Sequence, residues 1–171
     1  MTPSKLSFLF FSFLIFSCNS PQNEPSHKST IPETPIKSAT ALSKNGEWLK
    51  AAQLYEQLYQ KDLKNEELNY ETGTNYLKAN HPQKALEILN DFDQKHQNKS
   101  TEFNGRIARI AKAYYQIGAY EKIEEVVANY DYPKMYRGLA REHLKALIQL
   151  NKSEELSTYF SSYQQSGIFD D

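Results

Sequence analysis

The sequence predicts an all-α fold, an α-solenoid of about four helix–turn–helix repeats behind a short targeting segment. Three observations carry this. From residue 36 onward the chain holds only Pro82 and Pro133, and apolar residues recur at helical spacing with no convincing strand-like alternation. The chain also aligns with itself: Ala51, Ala85, Ile123 and Leu156 stand 34, 38 and 33 residues apart. Finally, Gly46, Asn80, Gly118 and Asn151 each lie five residues before one of these anchors. Gly and Asn are the residues that tolerate the left-handed backbone ending a helix.

Composition bounds the rest. The 171 residues suffice for one ordinary domain with appendages, and 39% hydrophobic with 24% charged residues is a globular balance. The net charge of -1 argues against a nucleic-acid partner, which usually meets a strongly basic domain. One cysteine excludes an intramolecular disulfide and a zinc site built on several thiolates.

Residues 1–17 read as a signal peptide. Lys5 precedes the apolar run Leu6–Phe16, which as a helix is roughly 16 Å long and too short to cross about 30 Å of hydrocarbon. The run ends at Ile15-Phe16-Ser17-Cys18, and Cys18 is the only cysteine. These residues resemble the lipobox of bacterial lipoproteins, with an aliphatic residue three before Cys and a small one just before it; Phe16 is bulkier than usual. The resemblance implies lipidation of Cys18, cleavage before it and acylation of the new amine. Two or more acyl chains hold a protein firmly to a bilayer. The alternative is an ordinary cleaved secretory signal with an incidental cysteine. Asn19 stands where an Asp retains lipoproteins in the inner membrane under the best-known sorting scheme, which favours the outer membrane.

Residues 18–35 read as the lipidated cysteine and a disordered tether. Residues 19–35 hold four of the seven prolines and a single large aliphatic residue, Ile31, too little apolar surface to offset chain entropy.

Residues 36–166 form the repeat domain. From each anchor, apolar residues follow at +3, +4 and +7: Ala51, Leu54, Tyr55, Leu58; then Ala85, Ile88, Leu89, Phe92; then Ile123, Val126, Val127, Tyr130; then Leu156, Tyr159, Phe160, Tyr163. Each set predicts one buried stripe of a second helix. The first helix of a unit is clearest at Ile107, Ile110, Ala111 and Tyr114. Pro82 sits at a helix start, where it is tolerated. The polar stretch Gln94–Ser100 suits a longer connection, and 167–171 read as a frayed tail, with a cap as the alternative.

These units resemble the tetratricopeptide repeat (TPR), a helix–turn–helix unit. Gly73, Tyr76 and Ala85 take its small, aromatic and small positions in the second unit, and Ala111, Tyr114, Gly118 and Tyr120 match in the third, where Ile123 replaces the usual alanine. The first has Ala39, Gly46, Trp48, Ala51 and Tyr55, with Pro35 truncating its first helix. The fourth departs, with Leu144 and Leu156 where small residues are expected. The resemblance implies a right-handed superhelix whose first helices line a groove for a protein or peptide partner. In that frame Tyr70 and Tyr115 fall on the groove side, and Arg109, Lys112, Arg141 and Lys145 at or beside it. An acidic or carboxylate-bearing segment would suit those cations; the competing reading is ordinary packing tyrosines and solvated cations, with Glu142 nearby to cancel charge. The chaperone-binding TPR subgroup is not matched, since Tyr70 and Thr74 replace its Lys and Asn.

No constellation for catalysis, cofactor or metal emerges. His27, His81, His96 and His143 are scattered, and no HExxH, GxSxG, GxGxxG or P-loop pattern occurs. The pairs Glu66-Glu67, Glu124-Glu125 and Glu154-Glu155 read as solvated faces. The expectation is therefore a non-enzymatic, membrane-anchored adaptor or assembly factor of the bacterial envelope; the alternative is an envelope enzyme or accessory subunit with a divergent helical fold.

Overall fold

The computed structural model describes residues 33–95, 103–128 and 136–169. Cys18, the signal segment and the tether up to residue 32 lie outside the described residues, as do Tyr130, Pro133, His96 and Lys99. Eight helices fill the described residues: α1 (Glu33–Lys44), α2 (Trp48–Tyr59), α3 (Glu66–Lys78), α4 (Pro82–Lys95), α5 (Phe103–Gln116), α6 (Tyr120–Ala128), α7 (Arg137–Gln149) and α8 (Ser153–Gln165). They pair as four units, each second helix up to α6 packing on the next unit's first helix. The first helices α3, α5 and α7 also touch in series, so the molecule has two layers.

The turns are where the sequence placed them. Gly46, Asn80, Gly118 and Asn151 have φ of 80, 62, 75 and 57°. Each closes its first helix in the same way. At Asn80 the amide donates to the Leu77 carbonyl at 3.2 Å and the His81 amide to the Tyr76 carbonyl at 2.9 Å, the paired bonds that satisfy the last carbonyls of a helix. Equivalent pairs join Gly46 to Ser43 with Glu47 to Leu42, Gly118 to Tyr115 with Ala119 to Tyr114, and Asn151 to Ile148 with Lys152 to Leu147. Helix starts are less uniform. The Asn65 side chain accepts from the Leu68 amide at 3.1 Å ahead of α3, and Pro82 opens α4, where its missing N–H loses no helical bond.

Three columns hold the layers together. The second-helix stripes of units one and two are buried, with Leu54 partly so. Unit three buries Ile123 and Val127 beneath α7. The small residues Ala39 and Ala111 are fully buried where paired helices meet. At Gly73 the approach is closer still: a Cβ there would stand 2.5 Å from Leu89 Cγ.

Three expectations are corrected. The tether boundary at 35 is too late, because α1 starts at Glu33. Pro35 falls in the first turn, where it removes no helical hydrogen bond, and Glu33 pairs with Lys37 at 2.8 Å. The fourth stripe is largely unburied: Tyr163 is enclosed, but Tyr159 and Phe160 are exposed, since no further described helix stacks on α8. Finally, 167–169 is a cap rather than a frayed tail. Gly167 takes φ 70°, the Ile168 amide donates to the Tyr163 carbonyl, and Ile168 and Phe169 pack on the core. Residues 170–171 lie outside the described residues.

Candidate functional site

The six residues singled out for a groove lie on three adjacent first helices: Tyr70 on α3, Arg109, Lys112 and Tyr115 on α5, Arg141 and Lys145 on α7. The structure brings them into one continuous patch. Arg109 bridges α5 to α3: its Nη2 donates to the Tyr70 hydroxyl at 2.9 Å and its Nε to Thr74 Oγ1 at 3.2 Å. Its guanidinium carbon also stands 5.4 Å from the Tyr70 ring centroid. Lys145 bridges α7 to α5, its ammonium 5.4 Å from the Tyr115 ring. Each cation is thus oriented by an aromatic face, an attraction of about 0.5–1 kcal/mol at exposed sites.

Glu142 sits among these cations and is only 2% exposed. Lys145 donates to both its oxygens at 3.3 Å, and Arg141 Nε to one at 3.4 Å. These contacts are longer than the roughly 2.7–2.9 Å of a strong charge-assisted bond. Lys112 completes the patch. Half-buried, it makes no hydrogen bond or ion pair among the described residues. Burial lowers its pKa, and the charges of Arg109, Arg141 and Lys145 lower it further while Glu142 raises it. Four cations around one carboxylate leave a local excess of positive charge.

Tyr70 and Tyr115 are not free contact surface. Tyr70 packs beside Gly105 under Arg109, and Tyr115 leans on Tyr120 at 5.4 Å between ring centroids. Both are half-buried seats for the cations above them.

The same helical layer changes character towards the first unit. Between α1 and α3 a cavity of about 330 Å³ opens, lined among others by Ile36, Thr40, Tyr55, Glu67 and Glu71. Thr40 and Tyr55 share a hydrogen bond of 2.8 Å across its wall. Burial raises the Glu71 pKa, with the Glu67 charge adding to it and the Lys78 and Arg109 charges opposing. The sequence reading took the Glu66-Glu67 pair as solvated and did not single out Glu71. The signal was present: Glu67, Glu71 and Thr74 recur at helical spacing on one face of α3.

Arg106 was also missed. It is 1% exposed, stacks over the Phe92 ring at 4.7 Å and lies 3.8 Å from Glu66. It sits four residues before Ile110, on the apolar stripe, and holds α5 against unit two. His143 is buried, shares a 2.8 Å hydrogen bond with Tyr163 and packs edge-on to Tyr159. Its place is structural, in the last unit. The described residues hold no group of three or more His, Cys, Asp or Glu able to bind a metal, and no described helix is long and apolar enough to cross a membrane.

Two layers of paired helices, closed by repeated left-handed turns and small residues at the paired contacts, define a TPR-like α-solenoid. Solved structures of MamA, a TPR-like protein, share this architecture. MamA MSR-1 C2 matches with a TM-score of 0.61 at 14% identity, over 81% of this chain and 78% of that one. The MamA RS-1 ArsTM double mutant matches with a TM-score of 0.64 at 14% identity, over 82% of this chain and 77% of that one. At this identity the likeness is one of fold. No protein-family model matches the sequence, and no curated protein does.

Proposed function

We propose that this protein is a protein–protein interaction adaptor or assembly factor of the bacterial cell envelope, held to a membrane through lipidated Cys18, with the first-helix face as its binding surface. The observation that carries the reading is the continuous patch across α3, α5 and α7, where Lys112 stays half-buried beside Arg109, Arg141 and Lys145 and makes no hydrogen bond or ion pair among the described residues. Four cations set around one carboxylate repel one another, so the cluster favours a partner surface over stability alone. The TPR-like fold supports a protein partner and does not favour the envelope-enzyme alternative. The lipobox-like Ile15–Cys18 run and the proline-rich tether support anchoring, and Asn19 favours the outer membrane.

Two measurements test this reading. Cys18→Ser should leave the protein unprocessed or soluble; a wild type recovered wholly soluble, with a free N-terminus at another residue, removes the anchor. Chemical cross-linking in membranes, followed by capture and mass spectrometry, should enrich a defined protein with the wild type. Arg109→Glu with Lys112→Glu should lose it. Equal recovery by wild type and variant would move the binding surface elsewhere.

A further inference from the structure

We infer that the C-terminal end of the solenoid is an interface for a second copy of this chain, and that two copies meet there end to end about a two-fold axis. The inference goes beyond the adaptor reading and does not depend on it. Two large apolar side chains stand bare on the two helices of unit four, Ile148 at 56% and Phe160 at 45% exposure. In the register of the repeat they match Leu77 and Leu89 of unit two, both buried in clusters shared with α5. Ser157 and Gln164 on α8 are exposed as well. They match Ala52 and Tyr59 of unit one, both fully buried in clusters shared with α3. Elsewhere in the stack, then, these positions are covered by the next unit, and among the described residues nothing stacks on them in unit four. A capping repeat turns a polar outer face to solvent, and Ile148 with Phe160 departs from that.

The chemistry of this end chooses the occupant. Residues 156–169 contain no charged side chain. Depletion of charge around apolar and aromatic anchors is the compositional mark of an interface core. A foreign partner is selected largely by complementary charge, which this stretch does not offer, whereas the surface is complementary to itself. Phe160 lies near the middle of α8 and packs on Phe169 at 6.5 Å between ring centroids. Two α8 helices crossing antiparallel at Phe160 keep their acidic first turns, Glu154 and Glu155, at opposite ends, so like charges do not meet. The same crossing brings Ser157 of one copy towards Gln164 of the other, and hydroxyl and amide groups each donate and accept. The opposite end of the solenoid is a poorer cover. On α1 the exposed residues include Lys37, Ser38, Ala41 and Lys44, so head-to-tail stacking would bury Ile148 and Phe160 against little apolar surface. A closed two-fold contact is also the commonest symmetry of soluble oligomers.

The test uses the full chain in density-matched detergent, with mass read by sedimentation equilibrium. The wild type should pass from one chain to two across roughly 1–100 µM, the strength of a small interface. Below that range the copies are separate, and stability measured there reports on the single chain. Ile148→Glu with Phe160→Glu should stay at the mass of one chain throughout, with its circular dichroism unchanged because both side chains are exposed. Should that variant unfold, Ser157→Arg, at an exposed serine, takes its place. In membranes, a bifunctional maleimide should join Ser157→Cys to a second copy of itself. The wild type controls for Cys18 and should give no such product. Ser38→Cys with Ser157→Cys separates the two geometries: a two-fold contact stops at pairs, whereas head-to-tail stacking gives a ladder.

A mass of one chain over the whole range overturns the interface. So does pairing that persists in the folded Ile148→Glu, Phe160→Glu variant, since the contact then lies elsewhere. A ladder from the double cysteine variant, or a different protein joined to Ser157→Cys in place of a second copy, overturns it too. None of these results bears on capture through Arg109 and Lys112, which tests the adaptor reading separately.

Discussion

The second and fourth units share one plan and are packed differently. Each has a left-handed Asn turn, at Asn80 and at Asn151, closed by the same pair of backbone bonds. Each has an apolar stripe at matching positions, so that Leu89 in one corresponds to Phe160 in the other. Leu89 is fully buried and Phe160 is exposed. Gly73 in the second unit corresponds to Leu144 in the fourth, and α3 and α4 make the more extensive contact. The stripe is a property of the helix, whereas its burial depends on a neighbour. Unit two has neighbours on both sides; among the described residues unit four has one.

Substitutions at matched positions turn that contrast into numbers. The largest gap is expected between Leu89→Ala and Phe160→Ala. The first opens a cavity among Gly73, α4 and α5 and should cost about 2–5 kcal/mol in urea unfolding. The second loses only partial contact with Phe169 and should cost less than about 1 kcal/mol. Similar losses at the two sites would mean that α8 is covered in solution.

Gly73→Leu comes next. Even a Cβ there meets the Leu89 side chain, so overpacking should cost about 1–3 kcal/mol. Leu144→Ala removes a partly buried side chain and should cost less than a fully buried leucine would. A thermal shift larger for Leu144→Ala than for Gly73→Leu would reverse the ranking of the two helix pairs. At the turns the units should instead behave alike. Asn80→Ala and Asn151→Ala each place an ordinary side chain in left-handed backbone and should cost about 1–2 kcal/mol. Either Asn→Gly should be near neutral, and a difference between the two turns beyond experimental error would break the equivalence.

The smallest effect is a pH dependence confined to unit four. Burial lowers the His143 pKa below its ordinary value, although Glu124 and Glu155 facing it raise it and Lys152 opposes them. The unfolded chain therefore takes up a proton near pH 6.5 while the native ring resists. Stability is complete above that pH and declines as the pH falls from there through the lowered native pKa. Amide protection factors, corrected for the intrinsic pH dependence of exchange, should fall in α7 and α8 on acidification through this range and stay unchanged in α3 and α4. His143→Gln should remove the fall, and its persistence in that variant would assign the effect to another group.

Much of this molecule was legible as a string of residues, because its rules are local. A left-handed residue at a turn, a stripe at helical spacing and a small side chain where paired helices touch act within one or two helices. Gly46, Asn80, Gly118, Asn151 and Gly73 were found on those grounds. The targeting run that ends at Cys18 was read in the same local way, as an expectation outside the described residues. Only the stacking of units decided the rest. It enclosed Glu142 among Arg141, Lys145 and Lys112, set Tyr70 beneath Arg109 from a helix 39 residues away, buried Arg106 against Phe92 and left Phe160 bare. A charge's environment is the sum over neighbours brought in from distant sequence, and in a solenoid those neighbours are set by which first helix lies beside which.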